Sequence, residues 1–323
     1  MTHALRIEEY GDPEVMQWVE VAVPAPGPGE VKIRQTAIGI NFIDTYQRSG
    51  LYKLPLPFIP GQEGAGIVEA IGPDVSGFKA GDRVAYQGVV GGYAEERLIK
   101  ADQLVHIPDG IDDKTAAAAL LKGLTAYFLL RRTFNVGKGT TILFHAAAGG
   151  VGQIACQWAN ALGATVIGTV GTEEKAELAR ANGCAHVINY RTEDFVARVK
   201  ELTGGKGVDV VYDAVGKDTF PGSLDCLRPL GLWVSFGQSS GTPPPFPVLL
   251  LLEKGSIFVT RPTIRHYIST RQELVDAAAE LFGVVANGTV KIKVGQSFPL
   301  RQAADAHRAL QSRQTTGATL LIP

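Results

Sequence analysis

A glycine-rich turn near the middle of the chain constrains the fold more than any other segment. Residues 145–152 read HAAAGGVG; they follow the apolar run Thr141–His145 and precede an amphipathic stretch, Gln153–Leu162. A strand, a tight turn and a helix in this order expose unpaired N–H groups and the positive end of the helix dipole to an anion. The segment therefore predicts a phosphate-binding turn.

The spacing within this turn is typical of dinucleotide binding. Ala147-x-Gly149-x-x-Gly152 matches the dinucleotide fingerprint, with alanine in place of the first glycine. A lone turn of this kind is a weak signal, and an ordinary tight turn is the alternative, but the second strand predicted at Thr165–Val170 supplies the required context. In this match Gly149 lets the backbone approach the pyrophosphate, and Gly152 lets the helix pack closely on the strand.

The end of the second predicted strand indicates which dinucleotide is bound. An NAD-selective site normally has an acidic residue here for the ribose 2′-hydroxyl, whereas this chain has Gly171. The small residue leaves room for a 2′-phosphate, Thr172 offers a hydroxyl, and Lys175 offers a cation. Glu173 and Glu174 are interpreted as first-turn acids that complement the helix dipole. This region favours NADPH over NAD, with a merely solvated Lys175 as the alternative.

Two kinds of pattern divide the chain. The first hundred or so residues contain short alternating runs between Gly and Pro clusters, which predicts β structure in a partly open barrel. From Thr141 onward, apolar strands alternate with helical stretches, which predicts a parallel sheet covered on both faces. Helices at Gln272–Ala286 and Ala303–Gln311 and a strand at Ala318–Ile322 follow. We predict a β-rich domain over residues 1–123 and 264–323 that carries an inserted doubly wound domain over 124–263.

Composition restricts the class of protein. The chain has 323 residues, 45% hydrophobic and 20% charged, with a formal net charge of −1. A near-neutral chain gives no electrostatic reason to expect a nucleic-acid partner. We find no signal-peptide pattern and no apolar run long enough for a membrane span. Cys156, Cys184 and Cys226 are widely separated, which suits a reducing compartment, so we expect a cytoplasmic protein.

Several segments together resemble one known family over nearly the whole chain. Besides the glycine-rich turn they are Ala37–Asp44, Pro60–Gly66, Ala80–Val84, Lys122–Tyr127 and Ser235–Gly237. They resemble the zinc-free, zeta-crystallin-like quinone oxidoreductases of the medium-chain dehydrogenase/reductase superfamily, including the bacterial NADPH:quinone reductases. The resemblance implies an α/β fold in which a Rossmann doubly wound parallel sheet is inserted into a GroES-like partly open barrel domain.

The resemblance also predicts that no metal is bound. The zinc enzymes of the superfamily have a cysteine ligand where Asn41 stands and a histidine ligand where Gln62 stands. An amide is a poor substitute for a thiolate or an imidazole on zinc. The closely spaced cysteines of the structural zinc lobe are also missing, since no cysteine precedes Cys156.

The resemblance implies a set of site residues. Asn41 is expected to hydrogen-bond the substrate carbonyl or the nicotinamide ribose, and Tyr46 and Tyr52 to stack on a planar acceptor or donate a hydrogen bond, with simple packing of the tyrosines as the alternative. Lys175, Tyr190 and Arg313 are expected to clamp the 2′-phosphate. The cofactor contacts that the resemblance implies are Asn41, Phe42, Ile43, Asp44, Tyr46, Thr125, Gly149, Gly150, Val151, Gly152, Gly171, Thr172, Lys175, Tyr190, Phe236, Gly237, Gln238, Ser239 and Arg313.

The implied function is NADPH-dependent reduction of quinones by hydride transfer in a zinc-free cleft between two domains. One alternative is reduction of the C=C bond of an α,β-unsaturated aldehyde or ketone, which uses the same hydride geometry. An alternative of a different class is an RNA-binding or structural protein that retains NADPH binding. We expect a small-molecule quinone or enone as partner, no nucleic acid, no membrane, and a homodimer formed through a sheet edge at Ser256–Thr260.

Overall fold

The chain divides into two compact units. The structure is a computed structural model and describes residues 1–312 and 315–323. The β-rich unit comprises residues 1–124, 268–286 and 292–323, and the parallel-sheet unit comprises residues 125–267 and 287–291. No helix of the described residues is both long enough and apolar enough to cross a membrane.

The strands follow one another along the chain in this order: β1 (Thr2–Ile7), β2 (Met16–Val21), β3 (Glu30–Ile40), β4 (Glu63–Ile71), β5 (Arg83–Gln87), β6 (Glu96–Lys100), β7 (Leu104–His106), β8 (Thr141–His145), β9 (Thr165–Val170), β10 (His186–Asn189), β11 (Val208–Asp213), β12 (Leu227–Ser235), β13 (Phe258–Thr260), β14 (Val294–Pro299) and β15 (Ala318–Ile322). The helices are α1 (Phe42–Arg48), α2 (Asp113–Phe128), α3 (Gly150–Ala161), α4 (Glu173–Ala181), α5 (Phe195–Leu202), α6 (Gly222–Asp225), α7 (Leu249–Glu253), α8 (Ile264–Tyr267), α9 (Arg271–Ala286) and α10 (Ala303–Gln311).

The parallel-sheet unit is built on a doubly wound sheet, as predicted. Its strand order is β10-β9-β8-β11-β12-β13, and every neighbouring pair is parallel. The chain enters at β8, winds outward to β10, returns to β11 and winds outward again to β13. Neighbouring strands β8 and β11 therefore lead in opposite directions, and ligands of such sheets bind beyond the carboxyl ends of the strands at this switch point. Buried Leu143, Ile167, Val211 and Trp233 belong to its core.

The β-rich unit contains a second sheet, of order β14-β15-β3-β4-β5-β7, with β6 also paired to β3. Its pairs are antiparallel except β14 with β15. Glycines allow close approaches of backbone and side chains within it. A Cβ atom on Gly66 would lie 2.4 Å from the carbonyl oxygen of Arg34, and one on Gly64 would lie 2.6 Å from the hydroxyl of Tyr86. The predicted β-rich domain is present.

Two short segments lie in a different unit from the one that their sequence position indicates. Residues 264–323 were expected in the β-rich domain, whereas 264–267 and 287–291 belong to the parallel-sheet unit. Two hydrogen bonds connect the second segment to α3, between the Gln157 side chain and the Lys291 backbone: Nε2 donates to the carbonyl oxygen over 3.1 Å, and the backbone N–H donates to Oε1 over 2.9 Å.

Candidate active site

The glycine-rich turn joins β8 to α3 and positions the start of that helix. Gly149 is the N-cap residue, and α3 begins at Gly150, three residues before the start expected from periodicity. A Cβ on Gly152 would lie 2.4 Å from the carbonyl oxygen of Ala146, so only glycine allows the helix to start this close to the strand. Gly149 and Gly150 are half-buried. The first turn of α3 thus has the N–H groups and dipole orientation that bind a phosphate.

Four residues predicted to bind the 2′-phosphate side come together after β9. A Cβ on Gly171 would lie 2.5 Å from the hydroxyl of Tyr190, so the tyrosine ring fills the space that a larger residue would need. The Tyr190 side chain is 43% exposed and thus available to a ligand. Thr172 is the N-cap of α4 and accepts a hydrogen bond from the Lys175 backbone N–H over 3.3 Å. The residue directly after the strand is Gly171, and the nearest acidic residues along the chain, Glu173 and Glu174, begin α4.

A buried polar chain crosses the carboxyl ends of three adjacent strands of the same sheet. The Ser223 hydroxyl lies 2.8 Å from Asp213 Oδ2 and 3.1 Å from His145 Nε2, and His145 Nδ1 lies 2.9 Å from the Thr169 hydroxyl. A carboxylate only accepts, so Ser223 donates to Asp213, His145 Nε2–H donates to Ser223, and Thr169 donates to His145 Nδ1. Burial lowers the pKa of His145, which agrees with this neutral tautomer.

Asp213 receives further donors that organise the loop after β11. Burial acts to raise the pKa of this carboxyl, but His145 and the hydrogen-bond donors outweigh it, and the pKa lies below the ordinary value. The backbone carbonyl of Asp213 accepts from the N–H of Phe236 over 2.8 Å. The other donors to its carboxylate are the N–H groups of Val215 and Gly216, the hydroxyl of Thr219 and the indole N–H of Trp233.

The segment Phe236–Ser239 follows the carboxyl end of β12 and is hydrogen-bonded to the loop after β11. The N–H of Ser239 donates to the carbonyl oxygen of Ala214 over 3.0 Å. A Cβ on Gly237 would lie 2.8 Å from that carbonyl oxygen, which explains the glycine. Phe236, Gly237 and Ser239 are half-buried and Gln238 is largely buried. Predicted cofactor residues therefore follow β8, β9 and β12, all at the ligand-binding edge of the sheet.

In the β-rich unit, helix α1 carries a second group of predicted residues. Asn41 is its N-cap, and its backbone N–H donates to Asp44 Oδ2 over 2.8 Å. The Tyr46 ring contacts Tyr52 edge to face at 5.3 Å between centroids, and the Tyr52 N–H donates to the Tyr46 carbonyl over 3.0 Å. Tyr46 is half-buried and Tyr52 is 36% exposed. Tyr46 and Tyr52 therefore pack against each other, and both residues remain partly accessible.

Asp44 belongs to α1 and lies on the buried side of that helix. The side chain has 0% exposure and also accepts a hydrogen bond from the Tyr93 hydroxyl at 3.2 Å. That hydroxyl lies 2.8 Å from His307 Nε2. Burial raises the pKa of Asp44 to about 7 and lowers the pKa of His307 to about 3. The resemblance implies a contact between Asp44 and the cofactor, but the Asp44 side chain has no exposed surface for such a contact. In this structure the side chain caps α1 by accepting the hydrogen bond from the Asn41 N–H.

Other predicted residues have simpler surroundings. Phe42 and Ile43 form the first turn of α1 and are half-buried, and Thr125 is half-buried on α2. Arg313 lies outside the described residues. The free cysteines Cys156, Cys184 and Cys226 are all buried.

The polar side chains around Asn41 are not arranged to coordinate a zinc ion. The Asn41 amide nitrogen donates to Glu63 Oε2 over 2.9 Å, so it is turned to a carboxylate and offers no lone pair. The same oxygen accepts from the Lys122 ammonium over 2.8 Å, so a cation already balances the carboxylate. Among the described residues, no cluster of three or more His, Cys, Asp or Glu side chains is arranged to hold a metal ion.

The sequence did not identify the buried charged residues that support the two groups of predicted site residues. Glu63, Lys122 and Asp213 make the hydrogen bonds that orient the predicted residues, and none of the three was nominated. The available signal was an acidic residue at the boundary of an apolar strand: Glu63 begins β4 and Asp213 ends β11. A carboxylate in such a position is seldom buried unless it is paired.

Two known protein families match this chain, and their matches together include strands of both sheets. Residues 27–109 match the family described as the alcohol dehydrogenase GroES-like domain, and residues 150–283 match the family described as zinc-binding dehydrogenase. The second description includes zinc-dependent enzymes, whereas the donor set around Asn41 departs from theirs.

Relatives match over their whole length. A quinone oxidoreductase of Pseudomonas aeruginosa is 52% identical over 325 residues and covers 100% of both chains. A 2-haloacrylate reductase of a Burkholderia species is 48% identical over 332 residues, covering 100% of this chain and 99% of the relative. The crystal structure of Escherichia coli quinone oxidoreductase complexed with NADPH superimposes with a TM-score of 0.97 at 52% identity, over 99% of this chain and 100% of that one.

Proposed function

Since the chain belongs to the quinone oxidoreductases of the medium-chain dehydrogenase/reductase superfamily, we propose that it reduces quinones with NADPH by hydride transfer. The observation that carries the proposal is the full-length identity of 52% to a quinone oxidoreductase, together with the intact glycine-rich turn at the start of α3. A quinone accepts hydride readily, because the negative charge that results is delocalised onto oxygen.

NADPH supplies the hydride when it is bound, and this chain supplies the binding groups. The first turn of α3 binds the pyrophosphate through backbone N–H groups. Gly171, Thr172, Lys175 and Tyr190 accommodate the 2′-phosphate, with Arg313 as the further cation that the resemblance implies. The half-buried segment Phe236–Ser239 binds the nicotinamide through its backbone. Gly171, in place of an acidic residue at the end of β9, and the NADPH complex of the Escherichia coli relative support this choice of cofactor.

The acceptor is held by the side chains on and after α1. Tyr46 and Tyr52 present an edge-to-face pair of rings against which a planar quinone stacks, and their hydroxyl groups are hydrogen-bond donors to its oxygens. Asn41 hydrogen-bonds the reacting centre. No metal takes part, and a hydroxyl or a water molecule completes the proton delivery, since the reduced oxygen needs no strong acid.

The proposal is tested by following NADPH absorbance with benzoquinone and naphthoquinone as acceptors, in parallel with NADH. We expect oxidation of NADPH and a preference over NADH that falls in Lys175→Ala, because the ammonium pairs with the 2′-phosphate. Lys206→Ala, an exposed lysine of the same unit, is the matched control and keeps the preference. Failure of the wild-type protein to oxidise NADPH with any quinone would refute the proposed function.

A second candidate reaction is supported by one relative. The 2-haloacrylate reductase acts, by its name, on a conjugated C=C bond, and it is 48% identical to this chain. Hydride addition to an α,β-unsaturated aldehyde or ketone requires the same binding groups and differs in that the proton goes to carbon. Side-by-side values of kcat/KM for benzoquinone and a simple enone decide between the two; a larger value for the enone would make C=C reduction the main activity.

We also propose that the chain forms a homodimer through β13. This strand ends the parallel sheet, and Phe258 is 60% exposed and Val259 37% exposed. An apolar edge strand is suited to pair with a second copy. Light scattering at micromolar concentration should give the mass of a dimer, and Phe258→Glu should give a monomer. A wild-type monomer would refute this assembly.

We also propose that the protein is located in the cytoplasm. Free, buried Cys156, Cys184 and Cys226 suit a compartment that keeps thiols reduced. Fractionation of cells that express the tagged chain, with a periplasmic or secreted marker as the control, measures this directly. Recovery outside the cytoplasmic fraction would refute the assignment.

A further inference from the structure

Glu63 is a buried carboxylate with a complete set of donors. Its side chain has 0% exposure. Oε2 accepts from Asn41 Nδ2 over 2.9 Å and from Lys122 Nζ over 2.8 Å, and Oε1 accepts from the backbone N–H of Leu121 over 2.6 Å. The Lys122 side chain is itself only 7% exposed. A buried ion pair of this kind is tolerated when further hydrogen bonds support it, and the donors of Asn41 and Leu121 supply two to the carboxylate.

The carboxylate determines which way the Asn41 amide faces. A carboxylate with an ammonium partner only accepts hydrogen bonds, so Asn41 must present its NH₂ group to Glu63, and its carbonyl oxygen points away from Glu63. Donation to a negative charge also polarises the amide and makes that oxygen a stronger acceptor. The amide cannot turn over without placing its oxygen against the carboxylate.

The surroundings keep Glu63 in place. A Cβ on Gly39 would lie 2.3 Å from Glu63 Oε2, so β3 leaves the carboxylate no room to move in that direction. The titratable groups that face it are Lys122 of α2, Asp44 of α1 and Tyr86 of β5. Of these, Lys122 is the one that donates a hydrogen bond directly to Glu63.

We propose that Glu63 and Lys122 are positioning residues for the proposed reduction: the ion pair fixes the Asn41 amide so that its oxygen accepts a hydrogen bond from a hydroxyl group at the reacting centre. The hydroxyl belongs either to the nicotinamide ribose or to the acceptor as it is reduced. The inference rests on the proposed function for its catalytic consequence, while the orientation of Asn41 is a property of the protein alone.

The first test is kinetic. In Glu63→Gln a single side-chain oxygen faces three donors, so Asn41 loses its fixed orientation, and we expect kcat to fall about tenfold to a hundredfold. A matching loss of NADPH affinity, measured by fluorescence titration, assigns the hydroxyl to the ribose. Unchanged NADPH affinity with reduced kcat/KM for the quinone assigns it to the acceptor. Wild-type kcat in Glu63→Gln would overturn the proposal.

The second test needs no turnover. In protein labelled with nitrogen-15 asparagine, the side-chain NH₂ signal of Asn41, assigned with Asn41→Ser, should move in Glu63→Gln and in Lys122→Met, because each variant changes the groups around the oxygen to which the amide donates. Lys254→Met, which breaks an ion pair with Asp225 in the other unit, is the control and should leave the signal unchanged. If the single variants do not fold, the double variant Glu63→Gln/Lys122→Met removes both buried charges and must show the same displaced signal.

These readouts separate the two proposals. An Asn41 signal that responds to Glu63→Gln in a protein without quinone reductase activity refutes the proposed function and leaves the positioning role standing. An unmoved Asn41 signal in an active enzyme refutes the positioning role and leaves the proposed function standing.

Discussion

Replacement of Asp213 by asparagine tests whether a buried charge holds the loops at the ligand-binding edge of the parallel sheet. Asp213→Asn keeps the shape of the side chain and removes one acceptor oxygen. In the wild type, Oδ1 accepts from two backbone N–H groups, of Val215 and Gly216, over 2.8 and 3.0 Å. Oδ2 accepts from Thr219 and Ser223, both at 2.8 Å, and from Trp233 at 3.2 Å.

The expected loss of stability follows from which donors can adapt. The two backbone N–H groups cannot turn, so the asparagine oxygen must face them, and its NH₂ group takes the place of Oδ2. The hydroxyl groups of Thr219 and Ser223 rotate and accept, whereas the indole N–H of Trp233 cannot. An unpaired buried donor costs about 1–3 kcal/mol, and two hydrogen bonds lose the strengthening given by a charge. Relief from burying a charge offsets part of this, which leaves a destabilisation of about 3 kcal/mol.

Urea unfolding measures this change, and Trp233→Phe provides the matched control because it removes the donor that cannot adapt. In the Trp233→Phe background, Asp213→Asn should cost about 1–3 kcal/mol less than in the wild type. The pKa of Asp213 is lowered in the folded protein, so its contribution to stability is present above the unfolded pKa and is lost as the pH falls through the folded value. The difference between wild type and Asp213→Asn should therefore shrink in acid. An unchanged difference at low pH, or full additivity with Trp233→Phe, would refute the reasoning.

Three further changes test other parts of the two units. Gly152→Ala places a Cβ 2.4 Å from the carbonyl oxygen of Ala146 and should weaken NADPH binding at least about tenfold in a fluorescence titration, with a destabilisation of about 1–3 kcal/mol. Gly171→Asp places a carboxylate where the 2′-phosphate is predicted to bind, and its side chain displaces Tyr190. The preference for NADPH over NADH should therefore fall at least about tenfold in paired kcat/KM measurements. A retained preference would contradict the assignment. Because burial raises the pKa of Asp44 to about 7, its stabilising contribution is lost as the pH rises through that value, and Asp44→Asn should be more stable than the wild type above it in urea unfolding. A pH-independent difference would contradict this prediction.

The parallel sheet was predictable because its signals are local. Thr141–His145 and Thr165–Val170 are short apolar runs bounded by turn residues, and the observed strands have the predicted bounds. The same holds for the terminal helix Ala303–Gln311 and strand Ala318–Ile322. The start of α3 was misjudged by three residues, because glycine is a poor helix former and the pattern of apolar residues begins only at Gln153. The cap at Gly149 decides the start instead.

The candidate site was predictable only where a motif or the resemblance named a residue that faces a ligand. Lys122 lies in an alanine-rich helix, and from sequence alone a single lysine there indicates a solvated position. Its partner Glu63 is 59 residues away along the chain, and no periodicity connects the two. Asp44 was assigned to the cofactor by the family resemblance alone, whereas its side chain is buried and accepts a hydrogen bond from Tyr93. Such pairings depend on long-range packing and become visible only in three dimensions.

The two buried carboxylates illustrate one physical device. Glu63 and Asp213 each have 0% exposure, and each is surrounded by groups that must donate to it. Since a carboxylate never donates, it imposes a direction on every hydrogen bond around it: on the amide of Asn41 in one unit, and on the chain through Ser223 to His145 in the other. A neutral side chain in either place would allow both directions at similar cost, and the groups facing a ligand would lose a single defined orientation. The hydrogen-bond donors around each carboxylate therefore offset the cost of burying its charge. The fixed hydrogen bonds preorganise the groups around them, which a hydride transfer between two bound molecules requires.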